Sequence, residues 1–387
     1  MKASNSKLKN MPSNDSIGGQ NSKPLEHVYV IIMAGGKGER FWPLSTGSVP
    51  KPFLKIMGDK TLIQLTVERA NRVVPIERVL VVLGQSHLDV AREQLKMLPD
   101  ENFIVEPEGR DTAPCIGYSA LSVLERDEES VMVVLPADQF IPDVDNFVKT
   151  ISRAVECSKT GDYLIAIGIK PVRPETGYGY INAYEVFNVI GGDVCYRVSR
   201  YVEKPDRETA IKYIAEGNYY WNGGIFIWHA KAVMAGIKRH MPELYGGLMN
   251  LKNTMASKDS EKIAGIYRSL QRKSIDYGLM EKADNVLMLP AQFIWDDVGT
   301  WSSLLRVLKL DSTGNYVKGN VLCVDTKDCV VFAGDLPVGT IGVSNLVIVA
   351  SKEGILVCDT ARAQEVREIA KKMEAAKLGS CEVGKKT

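Results

Sequence analysis

The feature that most constrains the fold is a short apolar run that stops abruptly at glycines. Val28 to Met33 reads VYVIIM, and Gly35, Gly36 and Gly38 follow directly. A short run rich in β-branched residues is typical of a strand buried on both faces of a parallel sheet. Glycines at its end let backbone amides approach an anion closely. The segment therefore predicts a phosphate site at the carboxyl end of the first strand.

Similar runs recur along the chain. Val79 to Leu83, Val131 to Leu135 and Leu164 to Ile169 are short and apolar, and apolar residues at helical spacing lie between them. Alternating strands and helices imply an α/β fold with a Rossmann-like, mostly parallel sheet. We expect this catalytic domain to span residues 28–312, with ligands bound beyond the carboxyl ends of its strands.

The pattern changes after residue 312, where short apolar runs follow one another too closely for helical crossovers. Such spacing indicates a small all-β second domain, predicted over residues 315–377. A helix is expected to close it, with its apolar face towards the strands. That face would consist of Ala363, Val366, Ile369, Ala370 and Met373.

Charge and composition exclude several classes of function. Forty-eight basic and 47 acidic residues give a net charge of +1, so no global field attracts nucleic acid or an anionic membrane. Residues 1–27 are polar and are predicted to be a disordered tail without the apolar segment of a secretory signal. The seven cysteines are scattered and form no CxxC pair, which argues against zinc and disulfides and favours a cytoplasmic location.

The glycines belong to a longer motif. Ala34 to Ser45 reads AGGKGERFWPLS, and Val49 to Phe53 reads VPKPF, so Arg40 and Lys51 add positive charge beside the glycines. The segment lacks the GxxxxGK[ST] pattern of a P-loop. Phe41 also replaces the last glycine of a dinucleotide fingerprint, which disfavours a Rossmann oxidoreductase.

GGxGxRxxP followed by PKP resembles the signature of the nucleotide-sugar pyrophosphorylase superfamily. Trp42 and the segments described below are similar to the mannose-1-phosphate guanylyltransferases, from about Val28 to about Met373. The resemblance implies transfer of a nucleotide to a sugar 1-phosphate, with GTP and mannose 1-phosphate as substrates. It also implies that the second domain is β-helix-like and contacts the catalytic domain or a second copy of the chain in a homodimer.

The resemblance assigns the nucleotide to two segments. One is the motif from Ala34 to Ser45, called the glycine loop below. The other is EPEGRDTAP, from Glu106 to Pro114, where Asp111 replaces the usual Asn. Guanine presents N–H donors, so the Glu106 carboxylate is a suitable acceptor. From the residues alone, the alternative interpretation of this segment is a capped helix entry. The implied nucleotide-binding residues are Gly35, Gly36, Gly38, Glu39, Glu106, Thr112, Ala113 and Pro136.

Two aspartates are implied to bind Mg²⁺. Asp138 lies in VLPADQ after a buried strand, and Asp297 lies in WDDVGTW. Two carboxylates suit Mg²⁺, which completes its octahedron with phosphate oxygens and water. Either aspartate alone would be more typical of a turn or a helix cap. The family commonly has His at Gln139.

Three further segments resemble the sugar pocket: Glu175 to Ile181, Val202 to Pro205 and Trp221 to Trp228. Each pattern alone is equally typical of a turn or a solvated edge. Lys204 is the expected clamp on the sugar phosphate, and Gly223 replaces the usual Ser. The implied sugar-binding residues are Gly179, Glu203, Lys204, Asn222 and Gly224. SIDYGLMEK also matches the family, but no catalytic role is predicted for it.

The expected catalysis is positional and electrostatic. The sugar phosphate is largely ionised at neutral pH, because its second pKa is about 6, so no general base is needed. Arg40, Lys51 and Lys204 would neutralise charge together with Mg²⁺.

Several alternatives remain at this stage. The same chemistry could act on a heptose 1-phosphate with GTP or on glucose 1-phosphate with dTTP. A non-catalytic regulatory paralogue is disfavoured by the complete set of charged residues. A bifunctional enzyme with a phosphomannose isomerase domain is not expected, because the metal-binding histidines of that domain are missing.

Overall fold

A computed structural model describes residues 25–36, 38–255 and 259–383, with residues 377–383 described through their backbone alone. Most of the predicted tail, residues 1–24, lies outside the described residues, as does Lys37. Within the described residues, no helix is both long and apolar enough to cross a membrane.

The catalytic segment is built on one large sheet, and the predicted α/β class is confirmed. The described strands run in the order β3-β2-β1-β4-β8-β5-β9-β7-β6. Pairs within β3-β2-β1-β4 are parallel, whereas β8 is antiparallel to both of its neighbours β4 and β5. The strands are β1 (Val28–Met33), β2 (Val79–Gly84), β3 (Phe103–Glu106), β4 (Val131–Pro136), β5 (Leu164–Ile169), β6 (Tyr180–Ile190), β7 (Asp193–Val202), β8 (Tyr219–His229) and β9 (Val286–Pro290).

Helices cover both faces of this sheet. They are α1 (Leu62–Ala70), α2 (Leu88–Gln94), α3 (Thr112–Arg126), α4 (Val144–Ser158), α5 (Arg207–Glu216), α6 (Ala230–His240), α7 (Pro242–Met255), α8 (Ser260–Ser269) and α9 (Leu304–Val307). Short 3₁₀ turns lie at Glu39–Phe41, Lys51–Phe53, Ile76–Arg78, Gln85–His87, Asp100–Asn102 and Trp301–Ser303, and a π-turn lies at Asp276–Met280.

Alternate residues of the central strands belong to two different cores. Val30 and Ile32 of β1 pack with α1, α2 and α4, whereas Ile31 packs with α3, α6 and α7 on the other face. Because both faces of the strand are covered, every position in its middle must be apolar. This requirement explains the uninterrupted run seen in the sequence.

The second domain consists of short strands stacked as in a β-helix. β10, β12 and β14 pair in parallel on one face, β15 joins that face antiparallel, and β11 pairs with β13. After a 3₁₀ segment at Thr360–Glu365, one long helix completes the described chain. These elements are β10 (Tyr316–Lys318), β11 (Val321–Val324), β12 (Val330–Ala333), β13 (Val338–Ile341), β14 (Leu346–Ser351), β15 (Gly354–Asp359) and α10 (Val366–Val383).

The closing helix differs from its predicted packing. Ala363 and Val366 are buried, but Ile369 is 46% and Met373 is 41% exposed, so the prediction that both face the core is wrong. Among the described side chains of α10, only Val366 at its start is fully buried. The helix also passes the 3₁₀ turn at Glu39–Phe41.

A third core joins the two domains. Phe41 and Trp301 from the catalytic segment pack in it with Phe332 and Val347 from the small domain. The Trp42 carbonyl oxygen accepts a hydrogen bond of 3.1 Å from the Trp301 indole. The predicted contact between the small domain and the catalytic domain is therefore present in the structure.

Candidate active site

The glycine loop forms the rim of a cavity of about 480 Å³. Gly38 has a φ of 62°, and a Cβ at this position would lie 2.6 Å from the Lys51 Cβ. Only glycine therefore allows the loop to pass so close to Lys51. The cavity is lined by Gly35, Gly36, Gly38, Glu39, Arg40, Phe41, Lys51, Pro52, Asp138, Gln139, Asp297, Gly299, Arg367 and Lys371.

Lys51 joins the two predicted metal-binding segments. Its ammonium lies 2.9 Å from the Asp138 carboxylate and donates a 2.7 Å hydrogen bond to the Asp297 carbonyl oxygen. Asp138 follows β4, and Asp297 follows β9. The structure thus brings together three residues that are far apart in the sequence.

The Asp297 carboxylate is held by a tyrosine that the sequence analysis did not single out. Its Oδ1 accepts a hydrogen bond from the Tyr178 hydroxyl. Burial raises the pKa of Asp297, and the Tyr178 hydrogen bond and the Lys51 charge oppose that rise. Tyr178 lies in the sugar-pocket segment from Glu175 to Ile181. Its hydroxyl group was the feature of the sequence that could have indicated a role in the site.

The donor set at the cavity floor is suitable for a hard cation. Among the described residues, no group of three or more His, Cys, Asp or Glu side chains could hold a metal. Asp138 and Asp297 both line the cavity. Two carboxylates leave the other coordination positions of a cation to further oxygen ligands. Two carboxylates completed by phosphate oxygens and water are a donor set that fits Mg²⁺.

Arg40 has a side-chain nitrogen that is buried beside the cavity. Its Nε is buried and has no hydrogen-bond partner among the described residues. Buried donors are normally paired, so an orphaned guanidinium nitrogen beside a cavity is suited to an anionic ligand. The phosphate side of the site therefore carries a donor that is still available.

The predicted base segment differs, because its polar groups already have protein partners. Glu106 is buried, and its carboxylate accepts a hydrogen bond from the Tyr267 hydroxyl. Burial raises the pKa of Glu106, against hydrogen bonds from Tyr267 and Cys115. The Ala113 amide donates to the Lys273 carbonyl oxygen at 3.1 Å. Neither Glu106 nor Ala113 lines the cavity.

The entry to α3 is held by side chains on both sides. Asp111 accepts a 2.8 Å hydrogen bond from the Thr112 amide, and the Thr112 hydroxyl accepts one of 2.8 Å from the Ile275 amide. Asp111 has a φ of 72° and a ψ of 177°, a region that is almost exclusive to glycine. The capped helix entry weighed from the sequence is thus present, and a base contact stays a prediction.

The predicted sugar residues converge on a separate polar cluster. Lys204 pairs with Glu203, and the side-chain Nδ2 of Asn222 donates to Asp276 at 3.0 Å. The side-chain Oδ1 of Asn222 accepts a hydrogen bond of 2.9 Å from the backbone amide of Gly224. The backbone amide of Asn222 donates a hydrogen bond of 2.8 Å to the Gly179 carbonyl oxygen. Lys204 is not among the residues that line the cavity with Arg40 and Lys51.

Glu203 has an unused acceptor in this cluster. Its Oε2 is buried without a hydrogen-bond partner among the described residues. Burial, with the nearby Asp276 charge, raises the pKa of Glu203. Asp276 also accepts a 2.6 Å hydrogen bond from the Tyr201 hydroxyl. Asp276 lies in SIDYGLMEK, the segment for which no role was predicted.

Two departures from the family pattern have local explanations. Gln139 donates a 2.7 Å hydrogen bond to the Gly223 carbonyl oxygen, which ties the end of β4 to β8. A Cβ at Gly223 would lie 2.9 Å from the Ile167 carbonyl oxygen, so a larger residue would need the backbone to shift. Pro136, at the end of β4, lies against Gly224.

The comparisons with known proteins cover both domains. The family described as "Nucleotidyl transferase" matches residues 29–314, and "MannoseP isomerase/GMP-like beta-helix domain" matches residues 319–373. The "Mannose-1-phosphate guanylyltransferase" of Escherichia coli K12 is 36% identical, covering 90% of this chain and 74% of that protein. The "Alginate biosynthesis protein AlgA" of Pseudomonas aeruginosa is 34% identical, covering 89% and 72%.

A solved structure is similar over nearly the same length. The crystal structure from Thermus thermophilus described as a "mannose-1-phosphate geranyltransferase" is 37% identical, with a TM-score of 0.81. The match covers 90% of this chain and 99% of that one. Both domains and their arrangement therefore have a counterpart of known structure.

Proposed function

This chain belongs to the nucleotidyl transferase family, and from that membership we propose that it joins GTP to mannose 1-phosphate, forming GDP-mannose and releasing pyrophosphate. The proposal follows relatives that bear the guanylyltransferase name at about one third identity over most of the chain. The observation that carries it is the Lys51 ammonium, which contacts both Asp138 and Asp297 beneath the glycine loop.

The chemistry needs alignment and charge neutralisation. The attacking oxygen belongs to a phosphate that is already ionised at neutral pH, so no protein group has to remove a proton. Arg40 and Lys51 would stabilise the charge that develops around the α-phosphorus and the departing pyrophosphate. Asp138 and Asp297 would hold Mg²⁺, which, when bound, screens the phosphate charges and orients their oxygens.

The sugar would be bound at the polar cluster. Glu203 has a buried acceptor oxygen without a partner among the described residues, which suits a sugar hydroxyl. Asn222 is oriented by Asp276 and Gly224, so its position does not depend on the ligand. Lys204 is 55% exposed and would release Glu203 to contact the sugar phosphate.

We place the activity in the cytoplasm. The described cysteines Cys115, Cys157, Cys195, Cys323, Cys329 and Cys358 are free thiols, which supports a reducing compartment. A homodimer stays a proposal. Exposed apolar side chains of the small domain support it, and light scattering would test it. Leu322 is 72%, Ile341 75% and Ile355 62% exposed.

A substrate panel tests the proposed reaction. Pyrophosphate release is measured with four nucleoside triphosphates against mannose, glucose and heptose 1-phosphates, with and without Mg²⁺. We expect GTP with mannose 1-phosphate to have the largest kcat/KM and chelation of Mg²⁺ to stop turnover. A larger kcat/KM for another pair would contradict the substrate assignment. Binding of nucleotide sugar without any turnover would indicate a regulatory paralogue.

A further inference from the structure

The small domain contributes two cations to the cavity. Arg367 and Lys371 on α10 both line it, together with the glycine loop that α10 contacts. They are four residues apart, so they project from the same face of the helix. Val366, buried in the core shared by the two domains, fixes the rotation of the helix and hence the direction of that face.

These cations change the charge of the cavity. Among the described residues, the lining without α10 has three carboxylates (Glu39, Asp138 and Asp297) and two cations (Arg40 and Lys51). Arg367 and Lys371 reverse this excess, because they bring the cations to four. The small domain therefore makes the cavity attractive to anions.

Neither side chain is tightly bound within the protein. Arg367 has no ion pair or hydrogen bond to another side chain in the part of the chain that the structure describes. Lys371 is 64% exposed and lies 3.8 Å from Glu39, a distance at the limit of an ion pair. An exposed pair of this kind contributes little to stability. Both cations are free to bind a ligand.

We infer that Arg367 and Lys371 bind the β- and γ-phosphates of the nucleoside triphosphate, which leave as pyrophosphate. This inference rests on the proposed function. Asp138 and Asp297, as the proposed Mg²⁺ ligands, would lie next to the reacting phosphate, and the residues of the sugar cluster around Asn222 do not line the cavity. The glycine loop and α10 contact each other and line the same cavity, so the phosphates beyond the reacting one would lie against both.

The test compares substrates that contain the pyrophosphate group with substrates that lack it. Arg367→Gln and Lys371→Gln should each raise the KM for GTP, and the KM for pyrophosphate in the reverse reaction, about tenfold. The KM values for mannose 1-phosphate and GDP-mannose should not change. Lys372→Gln removes an equal charge from the same exposed helix outside the cavity lining and serves as the matched control. Unchanged KM values for GTP and pyrophosphate, or an equal rise for GDP-mannose, would overturn the inference.

Direct binding keeps the inference testable if the proposed reaction fails. Calorimetry with Mg²⁺-pyrophosphate needs no turnover. We expect the Kd to rise about tenfold in each variant relative to wild type and to Lys372→Gln. Wild type that binds pyrophosphate but makes no GDP-mannose would refute the proposed function alone. Equal pyrophosphate affinity in wild type and in the double variant would refute the role of α10.

Discussion

The phosphate region and the predicted base region of the site are prepared for ligand in opposite ways. In the phosphate region, the Arg40 Nε is buried without a partner among the described residues, and an open cavity lies beside it. In the base region, Glu106 is bonded to Tyr267, and the Ala113 amide is bonded to Lys273. One region offers free donors, whereas the other must exchange internal hydrogen bonds for those of a ligand.

This difference separates affinity from discrimination. Phosphate binding can use preorganised charge at little rearrangement cost. Recognition of a base through Glu106 would have to displace the Tyr267 hydroxyl, so only a ligand that replaces the lost hydrogen bond gains free energy. The base region is therefore expected to discriminate between bases, and the phosphate region is expected to bind tightly.

The largest expected effect comes from the aspartates of the phosphate region. Asp138→Asn and Asp297→Asn should each lower kcat by about 10²-fold or more, because each removes a charged oxygen ligand of Mg²⁺. Titration with Mg²⁺ should restore part of the activity. Asp296→Asn controls for loss of activity through lost stability. That buried carboxylate pairs with Arg306 at 3.1 Å and does not line the cavity. Full activity of either Asp138 or Asp297 variant at limiting Mg²⁺ would contradict the assignment.

Glu106→Gln tests the base region. If guanine replaces Tyr267 on this carboxylate, the loss of charge should raise the KM for GTP about 10- to 100-fold and leave the KM for mannose 1-phosphate unchanged. An unchanged KM for GTP would show that Glu106 only anchors Tyr267.

The same variant has a defined pH dependence. Because burial raises the folded-state pKa of Glu106, the folded protein binds this proton more tightly than the unfolded chain does. Protonation therefore favours folding below the unfolded pKa, and this contribution is lost as pH rises through the folded pKa. Gln imitates the protonated form, so Glu106→Gln should stabilise the protein at neutral pH. The gain, measured by urea unfolding, should vanish in acid.

Thr112→Val should affect stability more than any change at Arg40. The Thr112 hydroxyl accepts from the amide of buried Ile275, and its loss leaves that N–H unpaired at a cost of about 1–3 kcal/mol. Thr112→Ser keeps the acceptor and is the control. Arg40→Gln removes no protein hydrogen bond at Nε and should leave the free energy of unfolding nearly unchanged. Equal destabilisation by Thr112→Val and Arg40→Gln would contradict the contrast between the regions.

The smallest expected effect is a gain. Asp111 adopts a backbone conformation that favours glycine, so Asp111→Gly should relieve strain. Part of this gain is offset by the lost hydrogen bond to the Thr112 amide. We expect a net stabilisation of about 1 kcal/mol in urea unfolding. Asp111→Ala loses the cap and keeps the strain, and should therefore be less stable than wild type.

The sequence predicted the phosphate region better than its surroundings. Gly38, Arg40, Lys51, Asp138 and Asp297 all line one cavity, because β1, β4 and β9 run in the same direction and the segments after them meet at one edge of the sheet. Their individual roles stay predictions. The family resemblance, with the position of each segment after a strand, was sufficient to predict that these positions meet.

Contacts that depend on how elements dock could not be predicted. Tyr178 looked like part of a turn, and only the approach of Asp297 shows its partner. No role was predicted for Arg367 and Lys371, because the sequence does not say which surface α10 crosses. Ile369 and Met373 had core-like spacing, but both are exposed where α10 passes the glycine loop.

The core shared by the two domains affects how the protein loses activity on heating. Phe41, next to Arg40 in the glycine loop, is buried against Trp301 and Val347 of that core. Local opening of the small domain would therefore release the loop while the large sheet stays folded, as in a cooperative subunit of lower stability. Inactivation on heating would precede global unfolding and would reverse on cooling. The thermal limit of activity is then a property of the smaller domain.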